Sequence, residues 1–463
     1  MSRREILVVF TAALAVRLAY IALLPPDPQS FRMPDSPLYE ALADNMLATG
    51  GFNHHSAEGY QPETERVPLY PAYLALVRWL FGGSPMAPVL GQGVLDALTC
   101  VVIGLIARQL DRRLFLFAGL LAAFNLNLVV HSAMVLSDSL FLLPYSAALL
   151  FALKYLHSPA LRYAMLAGAF FGAAILTRAM LQFYVPLLAI TVVIAAWRAG
   201  LRGRAVFGHV AASLLCLFVF VASLIVRNAA AYGHYGLVSQ GGTHSLNWVV
   251  PLTRELSAGT PFAQTQREMQ QKLAARLAAE GRSDLSANPF ERNQQQLDLA
   301  KEEALAHGVY PLLKAWTLGS AVNLFAPSLH AIPWMERIDR PRFYETRGDS
   351  LATKVWNFLT DPNGRLYLSL IMPAILWTIA IRLVQGAGVF RAVRAPASRL
   401  GALFLLATAA YVLAVTGPIL GVKYRLPLEP MLICFLAIGL ACWWERFRGR
   451  ATDKACMRAG RRA

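Results

Sequence analysis

Between residues 25 and 85 the chain carries seven carboxylates, Asp27, Asp35, Glu40, Asp44, Glu58, Glu63 and Glu65, in a stretch that also holds Arg66 and adjacent His54 and His55. Asp35 stands just before a helical run in which Leu38, Leu42, Met46 and Leu47 form an apolar face, with Glu40 and Asp44 turned to water. Two roles fit it: an N-cap that accepts a backbone N–H, or a general base held near a membrane surface on the side shared with Tyr39 and Ala43. Glu65 and Arg66 lead into Val67-Pro68-Leu69-Tyr70-Pro71, where two prolines make a stiff entry to a helix over 72–81. A carboxylate beside a guanidinium suits chemistry on a phosphate and a proton together, and is equally the pattern of a surface ion pair. His54-His55 has the residue type for a metal ligand, but paired histidines on a glycine-flanked loop ordinarily bind nothing.

These residues need a scaffold, and the composition supplies one. Of 463 residues 56% are hydrophobic and 15% charged, where a soluble chain carries about a quarter charged. Apolar runs near the length that crosses a bilayer predict about ten spans, at 6–24, 86–107, 114–131, 137–156, 162–177, 180–197, 206–226, 366–385, 401–420 and 428–444. Every second connection is short and basic (Arg108, Arg112 and Arg113; Lys154 and Arg162; Arg198, Arg202 and Arg204; Arg382, Arg391, Arg394 and Arg399), as is the tail from Arg446 to Arg462. The positive-inside rule then puts both termini in the cytoplasm and the connections 25–85 and 227–365 outside. The net charge of +16 is thus accounted for by topology, and no basic stripe with interleaved aromatics points to nucleic acid. The run from Ile6 to Leu24 follows Arg3 and Arg4 as a signal peptide would, but without a small-residue cleavage site it reads as a retained span. No cysteine falls in an external connection, so no disulfide framework is expected there.

Three modules follow: residues 1–226 with the chemically loaded loop 25–85, an external helical segment 227–365, and the spans and tail of 366–463. Within the second, 253–307 reads as two soluble helices. The later one is signposted by Asn288 as N-cap, Pro289, a capping-box Glu291 and Gly308 past its end. Residues 309–331 are apolar, yet a crossing there would turn the Arg391, Arg394 and Arg399 loop outward, so a helix lying in the outer interface is expected, with an extra pair of crossings as the alternative. Arg66, Arg178, Arg227, Lys423 and Arg425 all fall at outer ends of spans, where cations are disfavoured; each alone is an interfacial anchor, but together they call for an anionic partner such as a lipid phosphate. Arg17 lies inside the first span with Asp96 of the second as its plausible partner. His131, His234 and His244 are external acid–base or metal candidates.

The order of these motifs resembles the GT-C glycosyltransferases, and within them the lipid-carrier-dependent branch of protein O-mannosyltransferases and the 4-amino-4-deoxy-L-arabinose transferase of lipid A. The likeness rests on Asp35, Tyr39, Ala43, Gly51-Phe52 and Arg66-Val67-Pro68-Leu69-Tyr70-Pro71 in the first loop, and on Leu136-Ser137-Asp138-Ser139-Leu140 at the fourth span. It continues in Arg227-Asn228 through Gly241-Gly242, and in Lys423-Tyr424-Arg425-Leu426-Pro427. Ser36 replaces the acidic residue that usually follows the first-loop aspartate, which leaves the use of a divalent metal open.

The resemblance implies an all-α polytopic membrane protein with a GT-C-like bundle and extracytoplasmic helical loops. It would sit in a bacterial inner membrane and move a sugar, with inversion, from a polyprenyl-phosphate carrier to an extracytoplasmic acceptor. Asp35, Glu65 and Asp138 would be catalytic. Arg66, Arg227, Lys423, Tyr424 and Arg425 would bind the donor phosphate, and Tyr39, Tyr70 and Arg178 would line the substrate pocket. The rival classes are a flippase or transporter of lipid-linked sugar, and a polymerase or ligase joining lipid-linked glycans.

Overall fold

The computed structural model describes residues 2–25, 27–56, 59–336, 338 and 351–459. Glu58, part of the external segment at 339–350 and Arg462 lie outside them, as do the side chains of the basic tail from Arg446. The protein is a helical membrane bundle. Among the described residues eight helices are long and apolar enough to cross a bilayer: Arg3–Leu23, Met86–Leu110, Asp138–His157, Ala179–Arg198, Arg204–Tyr232, Pro362–Arg394, Pro396–Thr416 and Val422–Glu445.

The other two expected crossings take a different form. The run 114–131 is broken into Phe115–Ala123 and Leu126–Ser132, bent by 54°, because Asn125 adopts extended backbone and its side chain caps the second piece through Leu128 N. The run 162–177 is the helix Leu161–Ile175, of 15 residues, which at about 1.5 Å per residue falls short of a full crossing. It lies tight against Arg204–Tyr232: a Cβ on Gly168 would stand 1.9 Å from the Ser213 carbonyl oxygen, so only glycine permits this approach. Span ends move as well. The expected 401–420 is Pro396–Thr416, stopped by Gly417 at φ 61°, and the last span is entered through a 3-10 turn, Val422–Leu428.

The first external connection is not wholly helical. After the helix Ser36–Thr49 it makes a two-stranded hairpin, Asn53–Ser56 against Gly59–Pro62. In that helix Ala43 and Tyr39, with Met46, pack inward, whereas Leu38 and Leu47 of the expected apolar face are exposed. In the second connection the stretch read as two helices holds three, Val250–Ala258, Phe262–Ala279 and Pro289–Ala306. Asn288 caps Phe290 N as expected, but Glu291 does not close the box directly. Ser286 Oγ accepts the Asn288 N–H and donates to Glu291 at 2.7 Å. Residues 309–325 form the helix Val309–Phe325, whose Trp316 and Asn323 donate to the Ala414 and Ile419 carbonyls.

The two ends of the bundle differ in chemistry. Arg113 meets Glu445 at 3.3 Å, and Arg391 lies near Asp111, so the short basic connections and the end of the last span gather at one end. The first connection, the 227–249 segment and residues 419–425 gather at the other.

Candidate active site

Asp35 occupies the N-cap position of Ser36–Thr49, yet its side chain makes no capping hydrogen bond. Ser36 does the local work instead: its hydroxyl accepts from Met33 N and donates to the Val135 carbonyl at 2.7 Å, pinning the loop to the segment before Asp138. The Asp35 carboxylate is left to two cations, Arg66 at 3.9 Å and Lys423 at 3.6 Å. Those distances are ion pairs without close hydrogen bonds, and the Asp35 side chain is 44% exposed. Arg66 keeps Nη1 buried without a hydrogen-bond partner among the described residues. The expected Glu65–Arg66 surface pair does not form; the Glu65 side chain has no partner among the described residues.

A residue that sequence reasoning passed over builds this corner. Glu63 is buried, and its Oε1 accepts from Glu65 N at 2.6 Å and Arg66 N at 2.9 Å, turning the chain so that Arg66 faces Asp35. His54 stands 3.6 Å from the other Glu63 oxygen. Arg227 holds the same loop from below. It donates to the Phe52 carbonyl at 3.1 Å and to the Glu63 carbonyl, lies 5.5 Å over the Phe52 ring, and is braced by Asn228. Tyr232 adds a bond to Pro62 O, and Ser239 N bonds to Thr64 O at 2.7 Å. Arg227 therefore grips the loop with its guanidinium, and the structure does not bring it to the Asp35 cluster.

Arg425 is engaged in the same way. At 2% exposed, it bonds Glu429 at 2.8 Å, the Asn323, Leu324 and Ala326 carbonyls, and Ser328 Oγ at 2.7 Å. Nε, Nη1 and one hydrogen of Nη2 are thus committed to protein acceptors, so of the three arginines expected to share one phosphate Arg66 is the open one, while Arg227 and Arg425 are engaged mainly by backbone. Lys423, expected at the same phosphate, stands beside Asp35 with Tyr424 next to it: the ammonium lies 5.4 Å from the Tyr424 ring centre.

Asp138 begins its helix nearly buried and is ion-paired to Arg178, whose guanidinium also sits 5.8 Å from the Phe141 ring. Its link to the Asp35 helix runs through Ser137, whose Oγ lies 3.4 Å from the Tyr39 hydroxyl. Tyr39 meets Tyr70 edge-on at 5.0 Å, and Tyr70 donates to Gln92 at 2.7 Å. Tyr70 is fully buried, so it supports the wall and does not reach a ligand. Arg17 finds the expected Asp96 at 2.7 Å and also donates to the Ala122 and Ala123 carbonyls and Cys100, within a site closed to solvent.

Beside the cluster opens a cavity of about 470 Å³ lined by Met33, Lys423, His131 and His330, with Val322, Ala326, Ala331, Met335 and 420–422 completing it. Among the described residues no carboxylate lines it. His131 Nδ1 is engaged by the Asn127 carbonyl at 2.8 Å. His244 is held near Arg66 and Lys423; burial first, then those two positive charges, pulls its pKa below the ordinary imidazole value of 6.5. His234 instead stacks on Phe290. Among the described residues no group of three His, Cys, Asp or Glu side chains is gathered to hold a metal ion.

Comparison with known proteins meets this geometry. Residues 62–225 match the family described as dolichyl-phosphate-mannose-protein mannosyltransferase. No curated protein sequence matches the chain. Among solved structures, the oligosaccharyltransferase AglB of Archaeoglobus fulgidus, in complex with an inhibitory peptide and a dolichol-phosphate, superposes with a TM-score of 0.52 at 14% identity over 97% of this chain and 52% of that one. Its apo form gives the same TM-score and identity over 98% and 52%. ArnT of Cupriavidus metallidurans, bound to undecaprenyl phosphate, is a looser likeness, with a TM-score of 0.39 at 14% identity over 95% and 77%. The chain thus spans about half the length of the archaeal enzyme it superposes on. The family resemblance read from the motifs is borne out, and the fold is that of the GT-C membrane enzymes.

Proposed function

We propose that the protein is an inverting glycosyltransferase that takes a sugar from a polyprenyl-phosphate carrier and transfers it to an acceptor on the outer face of a bacterial inner membrane. The observation that carries the reading is Asp35: a carboxylate with no capping duty, held loosely between Arg66 and Lys423, the second of which lines a cavity. The cavity falls within the range that suits small ligands, roughly 300–1,000 Å³, and so favours one sugar with its acceptor over a whole lipid-linked glycan. In the reaction the acceptor oxygen attacks the anomeric carbon as the bond from that carbon to the phosphate oxygen breaks, its electrons passing to the phosphate. The acceptor proton goes to Asp35. Arg66, with its unpartnered Nη1, and Lys423 turn from Asp35 to the phosphate as the donor enters, stabilising the charge that grows there and freeing the base. Glu65 and the Asp138–Arg178 pair stand as supporting groups.

Both termini would be cytoplasmic, with the helix Val309–Phe325 lying in the outer interface. The test is reconstitution of the full chain in vesicles with a polyprenyl-phosphate-linked sugar and envelope acceptors, read by product mass. A gain of one sugar on the acceptor is expected. Movement of the lipid-linked sugar across the bilayer with no covalent product would replace the transferase reading with a carrier, and a product gaining a whole glycan would replace it with a ligase.

A further inference from the structure

Glu429 opens the last helix almost completely buried, 3% exposed. Its Oε1 accepts from Arg425 Nε at 2.8 Å and Asn127 Nδ2 at 2.9 Å, and its Oε2 from Asn125 Nδ2 at 3.1 Å. Both asparagines belong to the break in the third span. Arg425 carries the connection onward to the Asn323, Leu324 and Ala326 carbonyls and the Ser328 hydroxyl. Arg382, expected in a basic connection, lies instead within the helix Pro362–Arg394, donating to Leu324 O at 2.8 Å and close enough to Glu429 to interact with its charge. Asn323 completes the ring: it donates to Ile419 O at 2.7 Å and accepts from Gly421 N at 2.9 Å.

One carboxylate therefore ties three pieces of chain that are otherwise far apart in sequence. The same three pieces are the walls of the cavity: His131 comes from the broken span, Leu420 to Lys423 from the entry to the last span, and Val322, Ala326, His330 and Ala331 from the segment Arg425 holds. A buried ion pair adds little stability compared with apolar residues of the same volume. Stability alone thus does not explain why so many hydrogen bonds converge on a single buried acid.

We propose that Glu429 and Arg425 are positioning residues that set the width of the cavity, holding the 322–331 wall at a fixed distance from His131 and Lys423. The inference rests on the reading of that cavity as the sugar site. Neither side chain touches the reacting atoms; they act through the wall they hold. Loss of the pair should loosen the wall, misplace the sugar relative to Asp35 and weaken its capture.

The test uses the full chain in nanodiscs with Ala331→Cys as a reporter on the wall. In the double variant Arg425→Leu with Glu429→Leu, the thermal midpoint should stay close to that of the parent. Labelling of the new cysteine by a small polar maleimide should quicken about fivefold or more, and KM for the polyprenyl-phosphate sugar should rise about tenfold. A folded double variant with unchanged labelling and unchanged KM overturns the proposal. Should the double variant fail to fold, Ser328→Ala decides: it removes one contact from Arg425 and should quicken labelling about twofold, and no change would sink the idea. Labelling does not depend on turnover, so a protein that transfers no sugar but shows the quickened labelling would refute the transferase reading and leave the clamp standing.

Discussion

Two charged clusters in this protein contain the same kinds of groups and behave oppositely. Arg425, with Glu429 and the amides of Asn125 and Asn127, is buried and bonded mostly at 2.7–3.4 Å, with every guanidinium nitrogen engaged. Asp35, Arg66 and Lys423 stand 3.6–3.9 Å apart and partly open, and one Arg66 nitrogen has no hydrogen-bond partner among the described residues. The buried cluster has spent most of its hydrogen bonds on protein groups, so it fixes backbone. The open one has not, so a ligand can re-partner it without first breaking a strong bond. An arginine at the outer end of a span is thus no guide to function until its acceptors are counted.

The largest expected effect lies in the open cluster. Asp35→Asn should lower turnover about a hundredfold to ten-thousandfold while donor-lipid binding stays near that of the parent, read by single-turnover kinetics and equilibrium binding. Near-normal turnover would move the base role to Glu65 or Asp138 and dissolve the contrast. The sealed kind should instead show in stability. Asp96→Leu leaves Arg17 charged and unpaired where both side chains are closed to solvent, at a cost of about 3–5 kcal/mol. Unfolding in detergent checks this, and an unshifted midpoint would show that lipid or water reaches the pair.

A sharper comparison sets two arginines against each other. Arg66→Ala should weaken donor-lipid affinity about tenfold or more with little change in midpoint, and Arg66→Lys should recover only part of it. Arg227→Ala should lower the midpoint and free the Phe52 and Glu63 stretch to proteolysis. Equal losses of affinity in both, with both proteins intact, would break the distinction between contact and clamp.

The smallest effect concerns pH. Burial and two nearby cations hold the folded-state pKa of His244 below its ordinary value, so the unfolded chain takes up the proton first as pH falls. The stability given by the neutral ring is complete above about pH 6.5, declines as pH drops below it and levels off only below the folded value. His244→Gln should flatten that part of the curve, and melting both proteins at about pH 7.5 and 5 reads it.

Much of the scaffold was legible because hydropathy and flanking charge are local properties of the chain. Residues Asn125 and Asn127 inside an apolar run carried the signal for the broken span, since an N-cap residue there can start a new helix, yet the run alone reads as one crossing. Asp35, Arg66 and Lys423 could be named from their motifs, and the structure brings those three together. The grip of Arg227 and Arg425 on backbone was not legible, for a physical reason. Their acceptors are mostly backbone carbonyls about 100 or more residues away in sequence, at Phe52, Glu63, Asn323 and Ala326, and a carbonyl has no letter of its own. Glu63 was overlooked because its work is done on the N–H groups of its own loop.

The break in the third span also bears on how the protein is made. Ala122 and Ala123 end a helix inside the bundle, and Arg17 satisfies their carbonyls while pairing with Asp96. In the order of synthesis Arg17 precedes Asp96 by 79 residues and those carbonyls by 105 and 106. A lone arginine in mid-span costs about 2.5–3.5 kcal/mol on insertion scales. The first helix is apolar enough to carry that cost alone, but the charge is relieved only when the second span and the end of the broken helix close on it, so the three segments settle as one unit.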